Sequence, residues 1–531
     1  MSVSLLHFAT FASSSTSSVI AAEALLKWKS SLDNKNKSLL SSWVGDRPCN
    51  DNWVGIACDE FELGVTHLNL SRLRLIGTLY NLDFSSFPNL LTIDLSRNSL
   101  YGTIPDSIGN LSKLIQLDLA HNNLSGTFIP TIWNLSKLQF FHSTKNQISG
   151  RNPPEIGQMT SLQYFLVSNN FLNGSIPQEI GMCRALIFIA LDGNSLTGFI
   201  PASMGNLGNL YILQLSDNKL FESLPREIGN LSNLSDLLLI RNQLSGSLPR
   251  EIGRLGNLSH LILHENKFSG SIPPEIGMLD NLRVLFLLGN NLSGSIPQEV
   301  GTMRSLRVLV LADNFLNGAI PASIGNLSQL RELYLYNNSL SGSIPEEIGL
   351  LKHVFVGNQL TGNITEAFGI YSNLNYIDLS GNNLYGELSS NWGQCNNLTS
   401  LKISNNNISG RIPPELGEAV NVGVLDLSSN HLTGKITKEL KRLKSLLELL
   451  LNDNKLLGII PSEIGILSVL THINLATNNL NGLIPKKLGE CSRLLFLNLS
   501  SNILEGSIPF DIGRGVKHSS FLLSFAISLS S

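Results

Sequence analysis

Three arginines recur at one phase of this chain, Arg283, Arg307 and Arg331, with successive members 24 residues apart. Guanidiniums stacked this way suit a carboxylate, because each presents a planar fork of donors. Beside them, also at intervals of 24, stand Leu238, Ile262, Phe286, Val310 and Tyr334, flanked by His264 and Tyr336. Apolar and cationic columns side by side describe a contact surface. No catalytic residue and no metal ligand is assigned, and no cofactor is implied.

A longer ladder positions these columns. Asparagine recurs from Asn98 to Asn502 eighteen times, and of the seventeen intervals sixteen are 24 residues and one, Asn338 to Asn358, is 20. Such a period over some four hundred residues predicts a stacked repeat rather than separate globular domains. Each asparagine sits in a phrase such as "LDLAHNNLSG" or "LDLSSNHLTG", the Leu-x-Leu-x-x-Asn-x-Leu core of leucine-rich repeats. The alternating half predicts a short strand with its leucines inward. The amide of Asn, donor and acceptor on a short stem, is expected to satisfy backbone groups in its own repeat and the next. Glycine follows four residues later in seventeen of the eighteen repeats, Glu222 being the exception. An "IP" and an "IGNL"-type stretch then read as the outer, partly helical return.

One coil cannot stand alone. Five or six buried aliphatics contribute roughly 1.5–3 kcal/mol each, whereas ordering the backbone costs about 1–2 kcal/mol per residue. Stacking buries both faces of every coil and closes that gap. The expected fold is an α/β solenoid, a right-handed superhelix of about nineteen coils with a concave parallel β-sheet and an N-terminal helical cap.

Composition narrows the partners. Net charge is −3 and charged residues are 15%, so no polybasic surface points to nucleic acid. About sixteen Asn-x-Ser/Thr sites, among them Asn110, Asn173, Asn257, Asn363 and Asn407, suit a secreted glycoprotein. Cys49 and Cys58 precede the first repeat and read as a disulfide pinning the cap, which requires an oxidising compartment. Cys183, Cys395 and Cys491 each lie eleven residues before a ladder asparagine, where other coils carry leucine, and read as core residues.

The expected organisation is a possible signal peptide at 1–21, a cap at 22–63, the repeats at 64–514 and an aberrant tail at 515–531. Within the cap, Leu25, Trp28 and Leu32 share a helical face and Trp43 ends a second apolar stretch. The tail is too short in its apolar run to span a bilayer. It reads as the product of a truncated or mis-spliced frame, which would leave the last strand edge open. The 20-residue repeat either bends the stack or reflects a lost four residues.

The phrases "SSWVGDRPCNDNWVGIACDE", "LxGxIPxxIGNLxxL" and "LDFSSFPNLLTIDLS" together resemble the ectodomains of plant leucine-rich-repeat receptor-like kinases, from about Ala22 to Gly513. The resemblance implies a second small sheet at the "GxIP" segment. It also implies a secreted peptide or protein ligand, and a shorter leucine-rich-repeat co-receptor kinase as partner. Location would be the outer face of the plasma membrane or the apoplast. The glycine-rich phosphate loop, "HRD" and "DFG" of the family's serine/threonine kinase domain have no counterpart here, so no kinase activity is carried over.

The residue between the two strand leucines should face the concave side. That column is polar at its ends and apolar through the middle, from Leu166 to Tyr334, and an apolar stripe there is a candidate contact site. Glycosylation sites touch the column at Asn69 and Asn498 but not between Leu166 and Tyr334, where only Asn337 lies beside it. An extended peptide would lay apolar side chains over Ile262, Phe286 and Tyr334 and place an acidic group on the arginines. Two other readings compete: a secreted inhibitor of a cell-wall-degrading enzyme, and a non-functional truncated product.

Overall fold

The computed structural model describes residues 4–33, 38–59, 64–345, 353–355, 358–367, 374–512 and 522–524. Two compact units divide the chain, Met1–Phe268 and Ser269–Ser531. Both are built from leucine-rich-repeat coils.

Each regular coil contributes a three-residue inner strand, a second strand of two to five residues and a five-residue 3₁₀ helix, as in Gln116–Asp118, Asn123–Thr127 and Pro130–Asn134. The inner strands pair in parallel with their neighbours, residue for residue at the 24-residue spacing: Gln116 opposes Phe140, which opposes Tyr164. Register is fixed because the central residue of each parallel inner strand from Thr92–Asp94 to Glu332–Tyr334 and from Tyr376–Asp378 to Phe496–Asn498 is buried, and a one-residue slip would turn it to water. The outer return is 3₁₀ in the regular coils, and a four-residue α-helix, Ile364–Ala367, takes its place after the short repeat. In most coils a proline stands just before the 3₁₀ helix in extended conformation, as Pro105 and Pro225 do, and the helix's glycine is required by crowding: a Cβ on Gly229 would fall 2.3 Å from the Glu251 carbonyl oxygen of the next coil.

The ladder asparagines hold the coils together from inside. Asn122 donates through Nδ2 to the carbonyls of Leu95 and Leu119 at 2.9 and 3.1 Å, while its Oδ1 accepts the N–H of Leu100 at 3.0 Å. Leu95 and Leu100 belong to the preceding coil, so each asparagine serves its own coil and the one before it, not the one after as the sequence reading had it. The short repeat keeps this bond: Asn358 accepts the N–H of Leu340 at 3.2 Å and donates to Leu335 O at 2.7 Å. The segment where four residues were expected to be missing lies outside the described residues.

At the N-terminus a helix, Ser4–Ser31, runs through the expected cleavage region. Leu25, Trp28, Leu32 and Trp43 are buried as their spacing predicted. Trp28 sits against Trp43 at 6.3 Å between ring centroids and Trp43 stacks on Trp53 at 5.5 Å. The Trp28 Nε1 donates to Thr78 O at 2.7 Å, which docks the cap on the second strand of the first coil. Cys49 and Cys58 form a disulfide. Cys183, Cys395 and Cys491 are free and buried, as expected of core residues.

Most of the tail at 515–531 lies outside the described residues. Its segment Leu522–Ser524 pairs in parallel with Phe496–Asn498, where the sequence predicted an open edge.

Candidate ligand-binding surface

In the second unit the inner strands Val284–Phe286, Val308–Val310 and Glu332–Tyr334 lie side by side. Phe286, Val310 and Tyr334 oppose one another directly. Phe286 and Tyr334 are half-buried. Val310 is only 7% exposed, a correction to the expectation that it faces solvent. Its isopropyl group is short and stands between two larger in-register rings, which shade it. The Tyr334 and Tyr336 rings meet edge to face at 6.4 Å. Burial, reinforced by the Glu332 carboxylate, raises the Tyr334 phenol above its usual range, and burial followed by Asp313 does the same for Tyr336. The Tyr334 phenol is hydrogen-bonded to the Glu332 side chain.

Arg283, Arg307 and Arg331 each sit one residue before those strands. Their backbones are tied in series: Arg307 N–H donates to Arg283 O at 2.8 Å and Arg331 N–H to Arg307 O at 2.7 Å. All three side chains are exposed, and none makes an ion pair among the described residues. Strand spacing sets successive arginines about 4.8 Å apart, close enough for one or two carboxylates to engage a pair.

The first unit holds Leu238, Ile262 and His264. Leu238 opposes Ile262 in register, and both are half-buried. Burial lowers the pKa of His264, with Glu265 partly offsetting it. Near it, Arg241 bridges Glu265 at 3.0 Å and Asp217 at 3.5 Å.

Two groups of residues escaped the sequence reading. On the inner sheet of the first unit, Phe140, Tyr164 and Phe188 oppose one another at the first strand position. Phe140 and Tyr164 lie 5.7 Å apart, and His142, against Phe140, is 3.2 Å from Asp118. Reading the column two residues before the expected stripe would have found this aromatic row. The other group is a run of exposed side chains at or just after the second strands, with Ile459 and Leu483 among them.

Of the sequence-predicted glycosylation sites, Asn110, Asn173, Asn257 and Asn407 are exposed. Asn363 is half-buried, and its Oδ1 accepts the N–H of Thr365 at 3.1 Å.

Comparison with known proteins agrees with this architecture. Residues 22–59 match the Leucine rich repeat N-terminal domain, and ten segments between 89 and 443 match the Leucine Rich Repeat family. The Arabidopsis receptor kinase HAESA, solved in complex with the peptide hormone IDA and the co-receptor SERK1, superposes with a TM-score of 0.76 at 31% identity, covering 92% of this chain and 87% of that one. The chain belongs to the leucine-rich-repeat ectodomains of plant receptor kinases. A TDR receptor aligns with this ectodomain at a TM-score of 0.73 and 33% identity, over 84% of this chain and 82% of the other. MDIS1-interacting receptor like kinase 2 of Arabidopsis thaliana is 42% identical over 116 residues, 21% of this chain and 11% of the kinase. The match thus spans about a tenth of that kinase's length. Likeness to the kinases runs through the repeats, and no enzyme is assigned to this chain.

Proposed function

We propose that the inner sheet of the second unit binds a secreted peptide. The observation that carries this reading is the arginine series, exposed and unpaired among the described residues, beside Phe286 and Tyr334. Its peptide would lie extended with apolar side chains over the two rings and place a carboxylate, at its C-terminus or on a side chain, against Arg283, Arg307 and Arg331. Tyr336 donates a hydrogen bond to it. Leu238, Ile262 and His264 form a separate apolar candidate in the first unit. HAESA, whose structure holds a peptide hormone and a co-receptor, supports a peptide ligand and a co-receptor kinase as partners here. The same likeness supports an extracellular setting, and glycans on Asn110, Asn173, Asn257 and Asn407 fit it.

A panel of candidate peptides, each with a free and an amidated C-terminus, would be titrated against the secreted chain. Arg307→Glu should weaken an acidic peptide at least tenfold, and Phe286→Ala with Tyr334→Ala should weaken an apolar one. Unchanged affinity in all three variants would remove this face from the account.

A further inference from the structure

A second rail of side chains runs across the coils of the second unit, just after the second-strand glycine. It passes from one short outer sheet (strands Thr361–Asn363, Asn383–Glu387 and Asn407–Ser409) to another (Leu457–Gly458, Asn479–Leu483 and Ile503–Glu505). Glu387, Arg411, Lys435, Ile459 and Leu483 occupy the position five residues after the ladder asparagine in five successive coils. Elsewhere that position is mostly small, as in Thr103, Thr127, Ser175, Ser295 and Ala319. Each long side chain lies over the glycine of the following coil. A Cβ on Gly434 would fall 2.9 Å from the Arg411 Cγ, one on Gly458 3.0 Å from the Lys435 Cγ, and one on Gly482 2.9 Å from the Ile459 Cγ2. Bare glycine backbone lets each of these stems lie against the following coil, so the five form one row of side chains.

The row borders a groove of about 1390 Å³ whose lining includes the buried Ile412, Ile436 and Ile460. Ile459 and Leu483 are 61% and 67% exposed, so the apolar end of the rail stands in water. Arg411 and Lys435 are exposed and make no ion pair among the described residues. Cationic groups next to unshielded branched apolar ones, at a fixed spacing of one per coil, make a contact surface with a direction.

We propose that this rail docks an extended segment of a second protein in which an acidic residue precedes two apolar ones at alternate positions. Spacing sets the pattern. Coils are stacked about 4.8 Å apart, so the three steps from Arg411 to Leu483 cover about 14 Å, while same-side residues of an extended segment recur every 6.6–6.8 Å, roughly. Three same-side residues therefore span the rail. An Asp or Glu at the first meets Arg411 and Lys435, and Leu, Ile or Phe two and four residues later meet Ile459 and Leu483. The chain's own stretch 513–531 contains no Asp or Glu and lacks the acidic side chain required. This docking is independent of the inner-face peptide.

The test uses the full chain and end-blocked fluorescent peptides containing Glu-Ser-Leu-Ser-Leu, the same with Lys first, and the same with both Leu replaced by Ser. Anisotropy should show the Glu-first peptide binding at least tenfold more tightly than either control. The double variant Arg411→Glu/Lys435→Glu should reverse the charge preference, and Leu483→Ser should weaken binding about tenfold. Phe286→Ala on the inner face should leave it unchanged. Equal binding of the Glu-first and Lys-first peptides, or no saturable binding of any, overturns the proposal. So does a result in which Leu483→Ser alters only self-association of the chain in sedimentation, which would make the rail a contact between copies.

Discussion

The Oδ1 of Asn218 accepts the N–H of Leu196, one coil earlier, at 2.9 Å, while its Nδ2 donates to Leu191 O and Leu215 O at 3.0 and 3.2 Å. A single buried amide thus closes two coils at once. Asn218→Ala strands a donor and carbonyls on the buried residues Leu196, Leu191 and Leu215, and each such group costs about 1–3 kcal/mol. We expect a local loss of about 2–4 kcal/mol, read as faster amide exchange at Leu196 and its neighbours. Exposed Gln243, one coil on, serves as the control: Gln243→Ala should change exchange by less than tenfold. Equal effects of the two substitutions would show that water replaces the asparagine.

Acid should loosen the first unit. The pKa of His121 is lowered by burial first and then by Arg97, Lys145 and His142; that of His264 is lowered by burial first. A histidine whose folded pKa lies below the unfolded value of about 6.5 binds its proton more readily when unfolded. Its stabilising contribution is complete above that value and is lost as pH falls from there through the folded pKa. Thermal unfolding at pH 7 and pH 5 should therefore show a drop at pH 5. Combining His121→Gln with His264→Gln should shrink that drop, and an unchanged difference would assign it to other groups.

The free thiols should be silent in the folded chain. Burial pushes both Cys183 and Cys491 up to about 11, and the Cys183 Sγ donates to Ile156 O at 3.1 Å. At pH 8 almost no thiolate is present, and alkylation needs the thiolate. Iodoacetamide should leave Cys183, Cys395 and Cys491 unmodified until urea is added, after which all three should react. Modification of any of them in the native chain would show that its coil opens.

Period and inward leucines make the coils legible in the sequence, because a buried central strand residue leaves a plain mark every 24 positions. The same ruler placed Cys183, Cys395 and Cys491 in the core. It failed where the answer depends on how one coil stands against another. A repeat reads alike in both directions, so nothing in it says that Asn122 reaches back to Leu95 rather than forward. Alternation makes Val310 a surface residue, yet its in-register neighbours Phe286 and Tyr334 cover it. Ile459 over Gly482 is a relation between coils, and it becomes visible only when stacking register is known.

Glu222 marks the one coil where the outer glycine is missing, and its φ of 69° is the left-handed value the glycines adopt there. The ordered second strands also part at this place: Ser195–Thr197 ends one outer sheet and Phe221–Ser223 begins the next. A residue with a Cβ held in that region costs roughly 1–2 kcal/mol, and glycine returns part of this through the greater freedom of its unfolded chain. Glu222 is exposed and in no ion pair among the described residues, so its side chain offsets little. Glu222→Gly is therefore expected to stabilise the first unit by about 0.5–1 kcal/mol, seen as slower exchange of the Phe221 amide, which donates to Gly198 O at 2.8 Å. The reverse change, Gly246→Ala, places a Cβ 3.1 Å from that of Ser223 at a φ of 72° and should destabilise by about 1 kcal/mol or more. If Glu222→Gly instead speeds exchange, the glutamate is doing more than occupying a strained position, and the break in the outer sheet is held by its side chain rather than caused by its backbone.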